Sequence, residues 1–199
     1  DDGPSANTLE VLEALERHGV KATFFITGQN PEYYDMIAKE AEAGHLVAAH
    51  TYSHDFGEIY TGESGFWEDI ERLQELIAAQ TGSRSTVLRF AGGSSNSVGG
   101  RSLMKTLAGQ CAEKGYVYFD WNVDTRDAVG DTKSADYIAE RAVKGALREN
   151  VPVILMHDGP MNTTAADALD IIIPALKEQG YAFATLGELA DAPVQHSLS

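Results

Sequence analysis

The chain has 199 residues, 43% of them hydrophobic, and sets 30 acidic side chains against 15 basic ones for a formal net charge of −15. That balance speaks against nucleic acid or an anionic membrane surface as a partner, since both need a basic footprint. No apolar run approaches the ~20 residues that span a bilayer, and a single cysteine excludes an internal disulfide or a cysteine cage for a metal.

The order of elements is a repeated alternation of helix and strand. Residues 7–18 carry Leu9, Leu12 and Leu15 at helical spacing and stop at Gly19, a natural residue just past a helix end. A buried strand is expected over 21–27. Asn30-Pro31 reads as a cap followed by proline in the first turn of a helix that runs to Gly44. The next strand, 46–50, ends on His50. A helix over 63–80 repeats Phe66, Ile70, Leu73 and Ile77 and closes at Gly82. Then come a strand at 86–90, a Gly-Gly-Ser-Ser-Asn loop at 92–96, and a helix at 101–114. Cys111 is in step with Leu103 and Leu107 there and reads as a small buried hydrophobe. Residues 116–121 are aromatic and β-branched, as a strand prefers. A helix over 134–149 leads to a nearly uninterrupted apolar strand at 152–157. A helix over 165–179, kinked at Pro174, and a strand at 181–185 complete the order.

Six strands separated by helices, with no linker or low-complexity stretch, predict a single α/β domain over residues 1–199 with parallel strands joined by helical crossovers. An open doubly wound sheet and a (β/α) barrel both fit. No Gly-x-Gly-x-x-Gly follows the first strand. Polar residues His50, Arg89, Asp120 and His157 recur at strand ends, where a parallel barrel gathers its active site. Both points favour the barrel. Asp1-Asp2-Gly3-Pro4 has the look of a loop between a strand and the first helix. A further strand is therefore expected upstream, and the chain reads as a piece of a longer protein.

His50 and His54 stand four residues apart, and neutral imidazole is a good ligand for a borderline divalent cation. They follow a strand and enter a loop, so they can converge only through a turn. Asp1-Asp2 alone would read as an acidic pair at a helix start, His157 as either a core histidine or a functional one, and Arg89 as a strand-end surface residue.

Taken together, Asp-Asp-Gly-Pro at 1–4, His-Thr-Tyr-Ser-His at 50–54, Arg-Phe-Ala-Gly-Gly at 89–93, Asp-Trp at 120–121 and Leu-Met-His at 155–157 resemble, in order and over nearly the whole chain, the five motifs of the polysaccharide deacetylases. These form the NodB-homology group, carbohydrate esterase family 4. The resemblance implies a distorted seven-stranded barrel, with the first strand missing here. It also implies a metal triad of Asp2, His50 and His54 holding one divalent ion, zinc first and cobalt or nickel as alternatives. Such an ion would activate water and polarise the amide carbonyl. Asp1 carries over as general base, held ionised by Arg89. His157 becomes the acid that protonates the departing amine, and Asp120 the carboxylate that raises the pKa of its ring.

Trp121 and Leu155 are expected to wall the acetyl pocket. The arginine motif usually continues into proline and an aromatic, and here Ala91 and Gly92 stand in those places. The Gly92 N–H can still donate to an oxyanion, but any sugar stacking by the aromatic is lost. The implied activity is removal of N-acetyl groups from amino-sugar polymers, above all bacterial peptidoglycan. The implied location is extracellular or at the cell wall, and the partner an acetylated glycan. An O-deacetylase of acetylxylan type and a non-catalytic glycan-binding relic are the other readings. Neighbouring Asp1 and Asp2 suit a glycosidase poorly, because its two carboxylates must flank the scissile bond.

Overall fold

A computed structural model describes residues 1–189 and 193–198. Among these, four parallel strands form one sheet in the order β1 (Thr23–Thr27), β2 (Leu46–Thr51), β3 (Val87–Leu88) and β4 (Val117–Tyr118). A second, two-stranded parallel sheet pairs β5 (Val123–Asp124) with β6 (Ile154–Leu155). The helices between them are α1 (Thr8–Arg17), α2 (Asp35–Glu42), α3 (Phe56–Ile59), α4 (Glu63–Thr81), α5 (Gly100–Glu113), α6 (Ala135–Ala146) and α7 (Ala165–Glu178). The protein is therefore α/β with parallel strands and helical crossovers, as the alternation predicts.

Amphipathic helices cover the sheets because their apolar stripes have nowhere else to go. Val11, Leu12 and Leu15 of α1 meet Ile173 of α7, Phe24 and Ile26 of β1, and Leu73 and Ile77 of α4 in one buried cluster. On the inner side, Phe25, Ala48 and Val87 of the four-stranded sheet converge with Phe119, Val153 and Leu186, so that sheet shares one interior with the residue leading into β6. Cys111 is buried beside Leu107 and Met104, the bland role expected of it.

Several elements differ from expectation. The strands expected at 86–90 and 152–157 shrink to Val87–Leu88 and Ile154–Leu155, and the short helix α3 has no counterpart in the expected order. The 116–121 strand is cut to Val117–Tyr118, and an unforeseen β5 follows. The cause is local: Arg89 takes the carbonyls of Phe119 (3.0 Å) and Asp120 (2.9 Å), and the Asp120 N–H goes to Val194 O (2.8 Å). Those backbone groups are thus diverted from a ladder. The helix expected from Asn30 begins as a 3₁₀ turn, Pro31–Tyr33, because the Asn30 amide donates to Pro4 O (2.9 Å) instead of capping. The stretch at 181–185 forms no ladder. It borders a cavity of about 240 Å³ that also touches Phe24, Val153 and Ile154.

Candidate active site

Asp1 lies where the two sheets approach each other. Its backbone nitrogen donates to Met156 O (2.9 Å), its carbonyl accepts from the Asp158 N–H (3.0 Å), and the Asp2 N–H donates to Phe25 O (3.2 Å). Asp2 has φ +70°, a left-handed conformation that Asp tolerates better than most residues. Both adjacent carboxylates approach His50 Nε2, Asp2 Oδ1 at 3.4 Å and Asp1 Oδ2 at 4.0 Å. Gly3 follows because a Cβ there would lie 2.4 Å from the Asp158 carboxylate.

The Asp1 carboxylate is buried and accepts from Arg89 Nη1 at 2.8 Å. Arg89 is itself almost wholly buried, with its guanidinium 4.1 Å from the centre of the Phe25 ring. Burial lowers the Arg89 pKa to about 9, partly offset by Asp120, so the group is still cationic at neutral pH.

Asp2 Oδ1 lies 3.4 Å from His50 Nε2 and 3.2 Å from His54 Nε2. It is buried and has no hydrogen-bond partner among the described residues. Burial pushes the Asp2 carboxyl pKa up, but the His50 and His54 imidazoles outweigh it and hold the group well below the ordinary carboxylate range. Burial pushes His54 down. His50 Nδ1 lies 2.8 Å from Arg89 O, and a carbonyl only accepts. That bond places the proton on Nδ1 and leaves Nε2 as the free lone pair. His54 reaches the same point by a turn with φ +51°, and its ring centre is 5.2 Å from that of His50. One carboxylate and two imidazoles, with ligating atoms all within 4.8 Å of one another and an orphaned buried oxygen, fit a divalent cation.

His157 lines the same cavity as these ligands. Its Nδ1 meets Asp127 Oδ1 at 2.8 Å, and its backbone N–H donates to Asp127 Oδ2, also at 2.8 Å. Burial raises the Asp127 carboxyl pKa, but the His157 contacts prevail and hold it below its usual value. Here the sequence reading needs correcting: the carboxylate beside His157 is Asp127, and Asp120 is occupied elsewhere. Asp120 is fully buried and accepts from Ser94 N (2.8 Å), Ser94 Oγ (2.5 Å) and His196 N (2.7 Å), so it holds the 92–96 loop. In the structure Val123, Thr125 and Asp127 are buried while Asp124 and Arg126 are exposed, which turns Asp127 toward His157.

Asp1, Asp2, His50, His54, His157, Gly92, Trp121 and Leu155 all line one cavity of about 280 Å³. Sequence reasoning missed Phe56 and Arg126, which also line it. Gly92 has φ +73°, and a Cβ there would press on Phe56 at 3.0 Å. Its N–H has no acceptor among the described residues.

A polysaccharide deacetylase family model matches residues 1–107. The chain belongs to the polysaccharide deacetylase family. It is 32% identical to a peptidoglycan-N-acetylglucosamine deacetylase of Bacillus cereus, over 98% of this chain and 70% of that protein. It is 34% identical to a deacetylase of the same description, PgdA, from Listeria monocytogenes, spanning 98% of this chain but only 38% of that protein. The solved catalytic domain of the peptidoglycan N-acetylglucosamine deacetylase from Eubacterium rectale superposes with a TM-score of 0.94 at 36% identity, covering 100% of this chain and 90% of that one. A family 4 carbohydrate esterase from Streptomyces lividans, solved with acetate, gives 0.78 at 29% identity, covering 99% and 95%. Polysaccharide deacetylases of this carbohydrate esterase family thus share the fold and the sequence.

Proposed function

We propose that the protein hydrolyses the N-acetyl groups of amino sugars in bacterial peptidoglycan, with one divalent cation, zinc first, held by Asp2, His50 and His54. The observation that carries this reading is that one cavity gathers that ligand set together with Asp1, paired with Arg89, and His157, paired with Asp127. A cation bound there would polarise the acetyl carbonyl and acidify a water molecule.

The protein's own residues supply the proton transfers. The Asp1 carboxylate, kept ionised by Arg89, takes a proton from the attacking water as its oxygen bonds to the acetyl carbon. Gly92 N–H donates to the carbonyl oxygen as charge develops on it. An amide nitrogen cannot leave as an anion. His157, with Nδ1 held by Asp127, donates a proton from Nε2 as the C–N bond breaks, releasing acetate and a free amine. Trp121 and Leu155 bound the space for the acetyl methyl group.

The same reading closes the fold as a distorted seven-stranded barrel. A parallel strand leading into Asp1 would fill the apolar slot between β1 and β6, where Asp1 already bonds to Met156 and Asp158 on one side while Asp2 bonds to Phe25 on the other. It also places the enzyme outside the cell or at the wall, where that glycan is found.

Release of acetate from peptidoglycan and from N-acetylglucosamine oligomers, measured on chelator-treated protein with and without added zinc, tests the proposal. Activity without metal, or none on any acetylated glycan, rejects it. The Streptomyces lividans esterase likeness favours one second reading, O-deacetylation. A higher kcat/KM on acetylxylan than on amino-sugar oligomers would select it.

A further inference from the structure

We infer that Asp69 is a positioning residue that sets the affinity of the metal site by clamping the turn between His50 and His54. The inference rests on the proposal that Asp2, His50 and His54 hold a cation.

Two histidines four residues apart meet readily on a helix, where both rings share a face. Here β2 ends at Thr51, and the ligands must be brought together by residues 52–54, with His54 itself in a left-handed conformation. Nothing in that stretch is a glycine, so the turn needs support from outside.

Asp69 supplies it from the middle of α4. Its Oδ1 accepts from the Tyr52 N–H at 2.5 Å and its Oδ2 from the Ser53 N–H at 2.9 Å. Two successive amides pointing at one anion form the small concave donor pair that favours a carboxylate. Asp69 is buried, and its neighbours Phe66, Ile70 and Leu73 are fixed in the core. No cation pairs with it among the described residues, so its hydrogen bonds are spent on the turn.

Tyr52 has other anchors. Its carbonyl accepts from the Gly28 N–H (2.9 Å), and Arg72 lies 4.1 Å from its ring centre. Ser53 has only an exposed contact from Gln29 to its carbonyl (3.2 Å) and its own hydroxyl bond to the Asp55 N–H (3.3 Å). Loss of Asp69 therefore frees the Ser53–His54 end, which is the second imidazole ligand.

The test compares wild type, Asp69→Asn and Asp69→Ala in the metal-free state and under zinc titration against a chromophoric chelator, with His54→Ala setting the scale for a lost ligand. Asp69→Ala should weaken zinc binding ~10–100-fold, the range for partners that orient a ligand. Asp69→Asn, with one acceptor left, should fall between. A purely structural role would lower the metal-free melting temperature and leave the Kd of the folded protein within about twofold of wild type, on the tenfold scale used for outer partners. That result overturns the inference while leaving the metal site standing. Should the variants not fold, amide exchange on metal-free wild type decides: Ser53 should exchange far more slowly than in an unstructured peptide, and exchange at the peptide rate overturns the clamp. A wild-type protein with no affinity for zinc would overturn the metal site and the clamp together.

Discussion

Asp127→Asn is the sharpest perturbation of the acid side of the site. The wild-type carboxylate accepts from the His157 backbone N–H at 2.8 Å on one oxygen, while the other meets the His157 ring at 2.8 Å and the Thr125 hydroxyl at 3.0 Å. A side-chain amide has the same shape but only one acceptor. The backbone N–H cannot change its nature, so the amide oxygen stays with it and the NH₂ group turns to face ring Nδ1. Nδ1 must then be the acceptor nitrogen, which disfavours the imidazolium needed to protonate an amine. The loss is that of general acid catalysis, ~10²–10⁴ in kcat/KM, or ~2.7–5.5 kcal/mol in the transition state. The assay compares an N-acetylglucosamine oligomer with 4-nitrophenyl acetate, whose leaving group departs without a proton. The oligomer should lose the full factor and the ester much less. An equal loss on both would refute the assignment of Asp127 and His157 to leaving-group protonation.

Arg89 donates three hydrogen bonds, to Asp1 and to the carbonyls of Phe119 and Asp120, which one ammonium cannot reproduce. Arg89→Lys should lower kcat by ~10² and stability by ~1–3 kcal/mol, read from steady-state kinetics and urea denaturation. Glu40 is fully buried with neither carboxylate oxygen partnered among the described residues, and burial, reinforced by Asp158, raises its pKa well above the ordinary value. The folded state thus binds the extra proton, and the penalty grows as pH rises above the unfolded value. Glu40→Met should stabilise the protein by ~1–3 kcal/mol at pH 7, with a smaller gain near pH 4. His45 shows the opposite sign. Burial, with Lys21 second, lowers its pKa to about 4, and its Nδ1 must stay unprotonated to accept from the Ala22 N–H (3.1 Å). The unfolded chain takes up that proton first, so this contribution is full above about pH 6.5 and is lost as pH falls toward 4. Denaturation of wild type against His45→Gln should show a steeper acid decline in the wild type.

The crossover pattern was legible because long amphipathic helices carry strong periodicity, and Phe66–Ile77 is a clear case. The strands expected at 86–90, 116–121 and 152–157 were placed, but not how short their ladders are, two residues each. The strand at 116–121 stops early as Arg89 draws the Phe119 and Asp120 carbonyls away, a contact between residues about thirty positions apart, and Val123–Asp124 pairs instead with β6. The 181–185 stretch has a strand's composition, but a ladder also needs a neighbour, and its neighbour there is a cavity. At the site, residues named in short motifs could be placed, since Asp1, Asp2, His50, His54 and His157 all line one cavity. Three acids within eight positions, Asp120, Asp124 and Asp127, could not be told apart by type, and only their burial and hydrogen bonds separate them. Asp69 carried no local signal, because its work is done on a loop in space and not in sequence.

The central claim is a cation held by Asp2, His50 and His54. Anomalous scattering at the zinc edge, from crystals of the metal-loaded protein, tests it most directly. The account predicts a single strong peak ~2.0–2.2 Å from Asp2 Oδ1, His50 Nε2 and His54 Nε2, the ordinary zinc–ligand distances. A map with no peak there, or with zinc bound elsewhere and the two rings turned apart, would contradict it.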